Sequence, residues 1–276
     1  MMRTIPQKNL INFENFIKII YEKQTRYTPD RIPSGAEQGY TGRGGKKLKA
    51  ATTVAYRSHE SIRDDSIPEF TTEKEYKKKV IGRNLMAKRV KPVEEKWLTR
   101  WAEQVGLIMD NDEFDRKWYE QGKKGEAENN VYFDEESQRW FKRNNLSYHT
   151  TYLEFFYRLA LHNASFPEAP YALEGFVIND GELQPVISQP HVRATKGASP
   201  VDVERLMNKL GYSKIQGTDH DYINREKGIR VEDMHDENVL MDENGNIFVV
   251  DPVIYLDDEG KKHRITSKDP LLHELK

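Results

Sequence analysis

Residues 231–252 read VEDMHDENVLMDENGNIFVVDP. Asp233, His235, Asp236, Glu237 and Asn238 stand ahead of one apolar run, and Asp251 stands behind a second. Between the runs lies Asn244-Gly245, a pair suited to a two-residue type I′ turn, because both central positions need positive φ. The flanking VLMD and NIFVV favour strands. Asn238 and Asp251 are equidistant from that turn. They are expected to face one another across the ladder, with Cβ atoms ~4.5–5.5 Å apart. A carboxamide and a carboxylate so placed can share one hard cation. Mg²⁺ takes oxygens at ~2.0–2.1 Å and keeps its other positions for water and substrate phosphates. Asp233, in the loop entering the hairpin, can accept a proton from a hydroxyl approaching a metal-bound phosphate. Asp233 is therefore the candidate catalytic residue, and Asn238 and Asp251 are the candidate metal ligands.

The elements that must position these groups follow from periodicity. NNVYFDEESQRWFKRNN alternates apolar and polar residues about a polar turn and predicts two antiparallel strands. TYLEFFYRLALHN carries Tyr152, Phe155, Phe156, Leu159 and Ala160 on one helical face. YALEGFVINDGELQPVISQPHV predicts strand, turn at Asn179–Gly181, strand. SPVDVERLMNKLGY opens with Ser199 and Pro200 and predicts a short helix ending at Gly211. Segregated strands and helices of this kind indicate an α+β fold. Upstream, NLINFENFIKIIYEK over 9–23 has helical spacing. Residues 25–70, with GYTGRGGKKLKAATT at their centre, predict a long irregular segment with short elements. A helix is expected from Thr71 or Thr72, and another after Pro92, closed by Gly106.

Composition bounds the function classes. The chain has 276 residues, no cysteine, 37% hydrophobic, 32% charged and 11% aromatic residues. Disulfides and thiolate metal sites are excluded, and the aromatics suffice for a core. No apolar run approaches the ~20 residues of a membrane span, and the N-terminus lacks the apolar centre of a signal peptide. A cytoplasmic protein is the expectation. The net charge of −2 hides an asymmetry: residues 1–100 carry 22 Lys/Arg against 12 Asp/Glu, and the remainder 21 against 33. The basic half, through Arg43, Lys46, Lys47, Lys49, Arg83, Lys88, Arg89 and Lys91, offers residues 41–100 as a surface for nucleic acid or a protein partner, or simply as a solvated helical face.

Asp233-x-His235-x-x-Asn238, followed thirteen residues later by Asp251, resembles the catalytic loop and metal-binding aspartate of protein-kinase-like phosphotransferases. The D-x-H-x-x-N form is similar to that of aminoglycoside phosphotransferases. Over about 115–260 the chain resembles the kinase-like domain of polyvalent proteins from bacterial mobile elements and phages. The residues that carry this are ENNVYFD, WFKRNN, HNASFPEAPYALEGF, ISQPHV and VEDMHDENVLMDENGNIFVVDPV. The resemblance implies a compact kinase-like fold over 115–276 with a minimal C-lobe, preceded by a basic, largely helical or irregular region over 1–114. It implies Mg²⁺ and ATP as cofactors. It places Gly122 and Gly125 in the glycine-rich turn and Lys142 on the phosphates. Glu154 becomes the ion-pair partner of that lysine, although Thr151-x-x-Glu154 also fits a capping box. Gln189 and His191 fall in the linker that meets adenine through backbone groups.

The sequence departs from the kinase pattern at Val231-Glu232, which replace His-Arg before the aspartate, and at Pro252-Val253, which follow Asp251 in place of Phe-Gly. Only 25 residues follow Asp251, so the surface that holds a peptide acceptor in protein kinases is not expected. The readings are therefore a Mg-ATP-dependent phosphotransferase of unknown acceptor, a catalytically weak or inactive nucleotide-binding module, and a nucleic-acid-associated accessory protein.

Overall fold

The computed structural model describes residues 43–59, 90–122, 125 and 128–256. The helices expected over 9–23 and from Thr71 or Thr72 lie outside the described residues. The described chain runs α1 (Arg43–His59), α2 (Lys91–Gln104), α3 (Asn111–Glu120), β1 (Asn129–Asp134), β2 (Arg139–Asn144), α4 (Tyr152–Ser165), β3 (Ala172–Asn179) and β4 (Glu182–Pro190). It continues with β5 (Lys196–Gly197), α5 (Pro200–Lys209), β6 (Ser213–Lys214), β7 (Tyr222–Asn224), β8 (Ile229–Glu232), β9 (Val239–Met241), β10 (Ile247–Val249) and β11 (Val253–Leu256). The fold is α+β. Its described residues form two compact units, one within 43–159 and 169–192, the other within 160–168 and 193–256.

The first unit is built on an antiparallel sheet in the order β1-β2-β4-β3. Its two hairpins close with left-handed residues where the turns demand them. Asp180 and Gly181 both have positive φ, 51° and 83°, and Asn179 pairs with Glu182 across them, which is a two-residue loop. One sheet face carries Leu173 and Ile187 and packs with Phe155, Phe156 and Leu159 of α4, Leu48, Ala51 and Ala55 of α1, and Leu98 and Ala102 of α2. The other face carries Tyr132, Val177 and Val186 and packs against Phe114 of α3. Each fully buried aromatic or branched side chain in such a core contributes about 1.5–3 kcal/mol.

One expectation is corrected here. The segment read as irregular over 25–70 contains the 17-residue helix α1. Its apolar stripe of Leu48, Ala51 and Ala55 is narrow and made mostly of alanine, so the surrounding lysines and glycines mask it. The division expected at 114/115 is a position within α3.

Helix α2 also reaches into α4. Glu94, 0% exposed, accepts a hydrogen bond from the Tyr152 backbone N–H at 2.7 Å, so a buried carboxylate caps an otherwise orphan donor at a positive helix end.

In the second unit, β9 is flanked by β10 and β5, and β8 by β11 and β7, with β6 at the edge. The core of this unit joins Leu161 and Phe166 to Val203 and Met207 of α5 and to Val231, Met234, Val239 and Val249 of the strands. Buried His162 holds the last residue of β10 through Nε2 and the Val249 carbonyl oxygen, 3.2 Å apart.

The Glu94 cap predicts a specific mutant pair. Glu94→Ala is expected to lower unfolding free energy by about 2 kcal/mol or more, and Glu94→Gln, which keeps an acceptor, by less. Urea denaturation of both variants is the check; an alanine variant within about 0.5 kcal/mol of wild type would remove the cap from the account.

Candidate active site

The loop between β8 and β9 carries the acidic motif. Asp233 adopts φ 65°, a left-handed conformation that costs a non-glycine residue about 1 kcal/mol and is held only when neighbours enforce it. They do so here through hydrogen bonds. Asn238 Nδ2 donates to the Asp233 carbonyl oxygen at 2.9 Å and to its carboxylate Oδ2 at 3.0 Å. His235 Nε2 lies 3.3 Å from Asp233 Oδ1. The Glu237 backbone N–H donates to His235 Nδ1 at 3.2 Å, and Asn238 Nδ2 also lies 3.1 Å from His235 Nε2. Asn238 thus donates to one Asp233 carboxylate oxygen, and the His235 ring stands within ion-pair distance of the other. The loop backbone is tied by Met234 N–H to the His220 carbonyl, 3.1 Å, and by Val239 N–H to the His235 carbonyl, 2.9 Å.

Gly197 on β5 makes room for this loop. A Cβ there would lie 2.5 Å from the Asp236 Cβ and carbonyl oxygen, so a larger residue displaces the segment between Asp233 and Asn238. No motif in the sequence marks this glycine, because the contact is made between distant segments.

The hairpin itself differs from the expected two-residue turn. Ile247 pairs with Met241 and Val249 with Val239, and the Val250 N–H donates to the Asn238 carbonyl at 2.9 Å. Asn238 therefore stands opposite Val250, and Asp251 stands one position further along, at an exposed bend beyond the ladder. The cause is Asp242. Its Oδ1 accepts from the Asn244 and Asn246 backbone N–H groups and its Oδ2 from Asn246 Nδ2. Only Gly245 takes positive φ, 79°. A three-residue loop results, and the register shifts by one.

The donor set suits a hard cation. With Asn238 Nδ2 turned to Asp233, its Oδ1 is the atom left for a metal, and Asp251 adds an exposed carboxylate. Among the described residues no group of three or more His, Cys, Asp or Glu could hold an ion.

In the other unit, Lys142 is central in β2, 8% exposed. It pairs with Val131 on one side and Ile187 on the other. Its ammonium meets the Tyr171 hydroxyl at 3.3 Å and lies 5.2 Å from that ring's centroid, a cation–π arrangement that the motif reading did not foresee. Glu154 is spent at the start of α4. Its Oε2 accepts from the Thr150 N–H at 2.9 Å and its Oε1 from Arg158 at 2.8 Å, while Thr151 Oγ1 accepts from the Glu154 N–H. Of the two sequence alternatives, this geometry is the cap.

Gly122, φ 78°, ends the turn after α3, with its N–H donated to the Tyr119 carbonyl. Gly125 passes so close to the Asn129 carbonyl that a Cβ would collide with it. Gln189 is buried and donates to the Ala169 carbonyl at 2.8 Å. The His191 backbone N–H is bonded to the Gln138 carbonyl at 2.9 Å.

Of the basic residues named for a polyanion surface, Lys47 is engaged with the Glu174 carbonyl at 2.6 Å and Lys91 with that of Leu146 at 3.5 Å. Lys46 and Lys49 are exposed, and Arg83, Lys88 and Arg89 lie outside the described residues. No helix among the described residues is long and apolar enough to cross a membrane.

Comparison with protein families matches residues 91–258 to the model described as serine/threonine/tyrosine kinase found in polyvalent proteins, which is more than half of the chain. No curated protein and no solved structure matches. The likeness to aminoglycoside phosphotransferases rests on the D-x-H-x-x-N spacing alone.

Two outcomes follow. Asp233→Gly removes the backbone strain, so stability is expected within about 1 kcal/mol of wild type; a loss of several kcal/mol in urea denaturation would mean the loop is a folding element. Separately, burial pushes the Glu154 carboxyl up, but the Thr150 N–H and Arg158 outweigh it and hold the group below its ordinary value. Folding then gains from ionised Glu154 above the unfolded carboxylate range, near 4.3–4.5, and loses that gain as pH falls through the lower folded value. Glu154→Gln should flatten the acid limb of stability against pH; an unchanged limb would contradict this.

Proposed function

The chain belongs to the family of serine/threonine/tyrosine kinases found in polyvalent proteins, and on that premise we propose that it is a Mg-ATP-dependent phosphotransferase. The observation that best supports this reading is the carboxylate of Asp233, which accepts a hydrogen bond from Asn238 on one oxygen and has the His235 ring 3.3 Å from the other. A carboxylate offers about four lone-pair sites. Asn238 uses one of them and the His235 ring stands beside the other oxygen, which orients the group and leaves acceptor capacity for an incoming hydroxyl. Asp233 then orients that hydroxyl and takes its proton as phosphoryl transfer proceeds.

Asn238 Oδ1 and Asp251 would hold the ion, whose contribution when bound is to neutralise charge on the transferring phosphate. Lys142, kept extended by its packing on Tyr171, would pair with phosphate oxygens. Gly122, Gly125, Gln189 and His191 remain the proposed surroundings of the nucleotide. A second reading, a nucleotide-binding module with weak or no transfer, is favoured by Glu154, whose carboxylate is committed to Thr150 and Arg158.

Asp233→Asn and Asp251→Asn separate chemistry from binding. Asp233→Asn is expected to lower transfer by 10²–10⁴-fold, about 3–5 kcal/mol of barrier, with nearly unchanged Mg-ATP affinity. Asp251→Asn is expected to weaken magnesium-dependent nucleotide binding itself. Radiolabelled phosphate transfer and calorimetry measure the two effects. Wild type that binds Mg-ATP without turnover over any acceptor tested supports the second reading, and two variants that match wild type in both assays contradict the first.

A further inference from the structure

Helix α1 sorts its residues by side. Leu48, Ala51 and Ala55 turn into the core of the first unit. Lys47 ties the helix to β3 through the Glu174 carbonyl at 2.6 Å and the Glu174 carboxylate at 3.6 Å. Lys46, Lys49 and Arg57 are exposed. At 3.6 residues per turn these three fall on the outward side, along about 16 Å of helix.

Helix α2, which packs on α1, sorts its charges. Its sequence KPVEEKWLTRWAEQ balances three basic residues with three acids. Glu94 and Glu95 turn inward, where they accept the Tyr152 and Leu183 backbone N–H groups at 2.7 and 2.9 Å. Lys96 and Arg100, four residues apart, are exposed, as is Glu103. Trp97, three residues before Arg100, is 42% exposed. Positions three and four apart are neighbours on a helix surface, so the indole and the two cations share one patch. Beside them a recess of about 380 Å³ is lined by Pro92, Glu95, Lys96, Thr99 and Arg100. A helix neutral by sequence is thus made cationic outward, because two of its carboxylates are used on buried backbone donors.

We propose that the outward faces of α1 and α2 bind single-stranded nucleic acid, with Lys46, Lys49, Arg57, Lys96 and Arg100 on the phosphates and Trp97 stacked on a base. The charge is complementary to a polyanion. A strand advances roughly 3.4 Å per nucleotide in a duplex, so the cations of α1 alone span about four to five nucleotides. An exposed indole among cations adds the second half of single-strand recognition, because an unpaired base offers a π-face that a duplex keeps stacked. Contacts of lysine and arginine with phosphates carry no sequence information, and stacking accepts every base, so binding is expected to be general in sequence. The proposed phosphotransferase site uses none of these residues, and the two readings stand or fall separately.

The test is fluorescence anisotropy of a labelled oligothymidylate of about 20 nucleotides, and of a duplex of equal length, titrated with the full chain over a range of salt. The single strand should bind more tightly than the duplex, and log affinity should fall with log salt at a slope of about −2 to −3.5, as for about three to five phosphate contacts. Lys96→Glu with Arg100→Glu should weaken binding about tenfold or more and flatten that slope. Trp97→Ala should weaken it about fivefold or more with the slope unchanged. Arg225→Glu with Lys227→Glu, an equal change of charge at exposed residues of the turn between β7 and β8, should have no effect, and saturating Mg-ATP should not compete. The wild-type measurements need no variant, so a misfolded mutant cannot obscure them. No binding of the oligonucleotide overturns the proposal. So do equal losses from the two double variants, which would reduce the effect to net charge, and competition by Mg-ATP, which would move the strand to the nucleotide site. A duplex bound as tightly as the single strand, or Trp97→Ala without effect, overturns the single-strand assignment. Capture of phosphatidylserine vesicles without the oligonucleotide gives the face to a membrane and overturns it as well.

Discussion

The backbone of Asp233 is the constraint on which the motif-bearing unit depends. A left-handed aspartate at φ 65° persists only where its surroundings over-determine it. Here β8 leads in, itself paired on both sides by β11 and β7, and β9 leads out, paired by β10 and β5. Met234, buried just after the aspartate, anchors the loop in the core with Val231 and Val239. Gly197 admits Asp236 at close range. Asn238 then closes the loop onto Asp233 through its side chain. The short strands of this unit bury little on their own, and their arrangement makes sense as a frame for one polar loop.

The lysine strand follows a different logic. Lys142 is a charged residue on the inner face of a four-stranded sheet, opposite Ile187. A buried ammonium is costly unless its protons are satisfied, and Tyr171 supplies both a hydroxyl and a ring face to it. The sheet is made stiff by two packed faces and by helices α1 and α2, so the position of Lys142 is set by the ladder rather than by loops. Sites on strands are held more precisely than sites on loops.

Legibility in the sequence varied with how local the determining interaction was. The hairpin over Asp180-Gly181 and the helix opened by Ser199-Pro200 are fixed by neighbouring residues, and both form where the pattern placed them. Asn244-Gly245 looks equally decisive, yet Asp242 accepts three hydrogen bonds from its own turn and forces a three-residue loop. That single aspartate moved Asn238 from Asp251 to Val250. Helix α1 escaped because its buried stripe is largely alanine, and alanines gain their meaning only from the sheet they touch. The Glu94–Tyr152 cap and the Gly197–Asp236 approach join residues far apart in the chain, which no local pattern reports. In the site, Asp233, His235 and Asn238 were visible through spacing, whereas the contact of Tyr171 with Lys142 emerges only from the folded sheet.

The central claim is that this chain binds a nucleotide triphosphate through a magnesium ion. Titration of wild type with ATP, first with excess Mg²⁺ and then with the metal chelated, tests it most directly. Saturable binding that weakens at least about tenfold on chelation is the result expected of oxygen ligands shared between Asn238, Asp251 and phosphate. Affinity unchanged by chelation, or no binding in either condition, would contradict it.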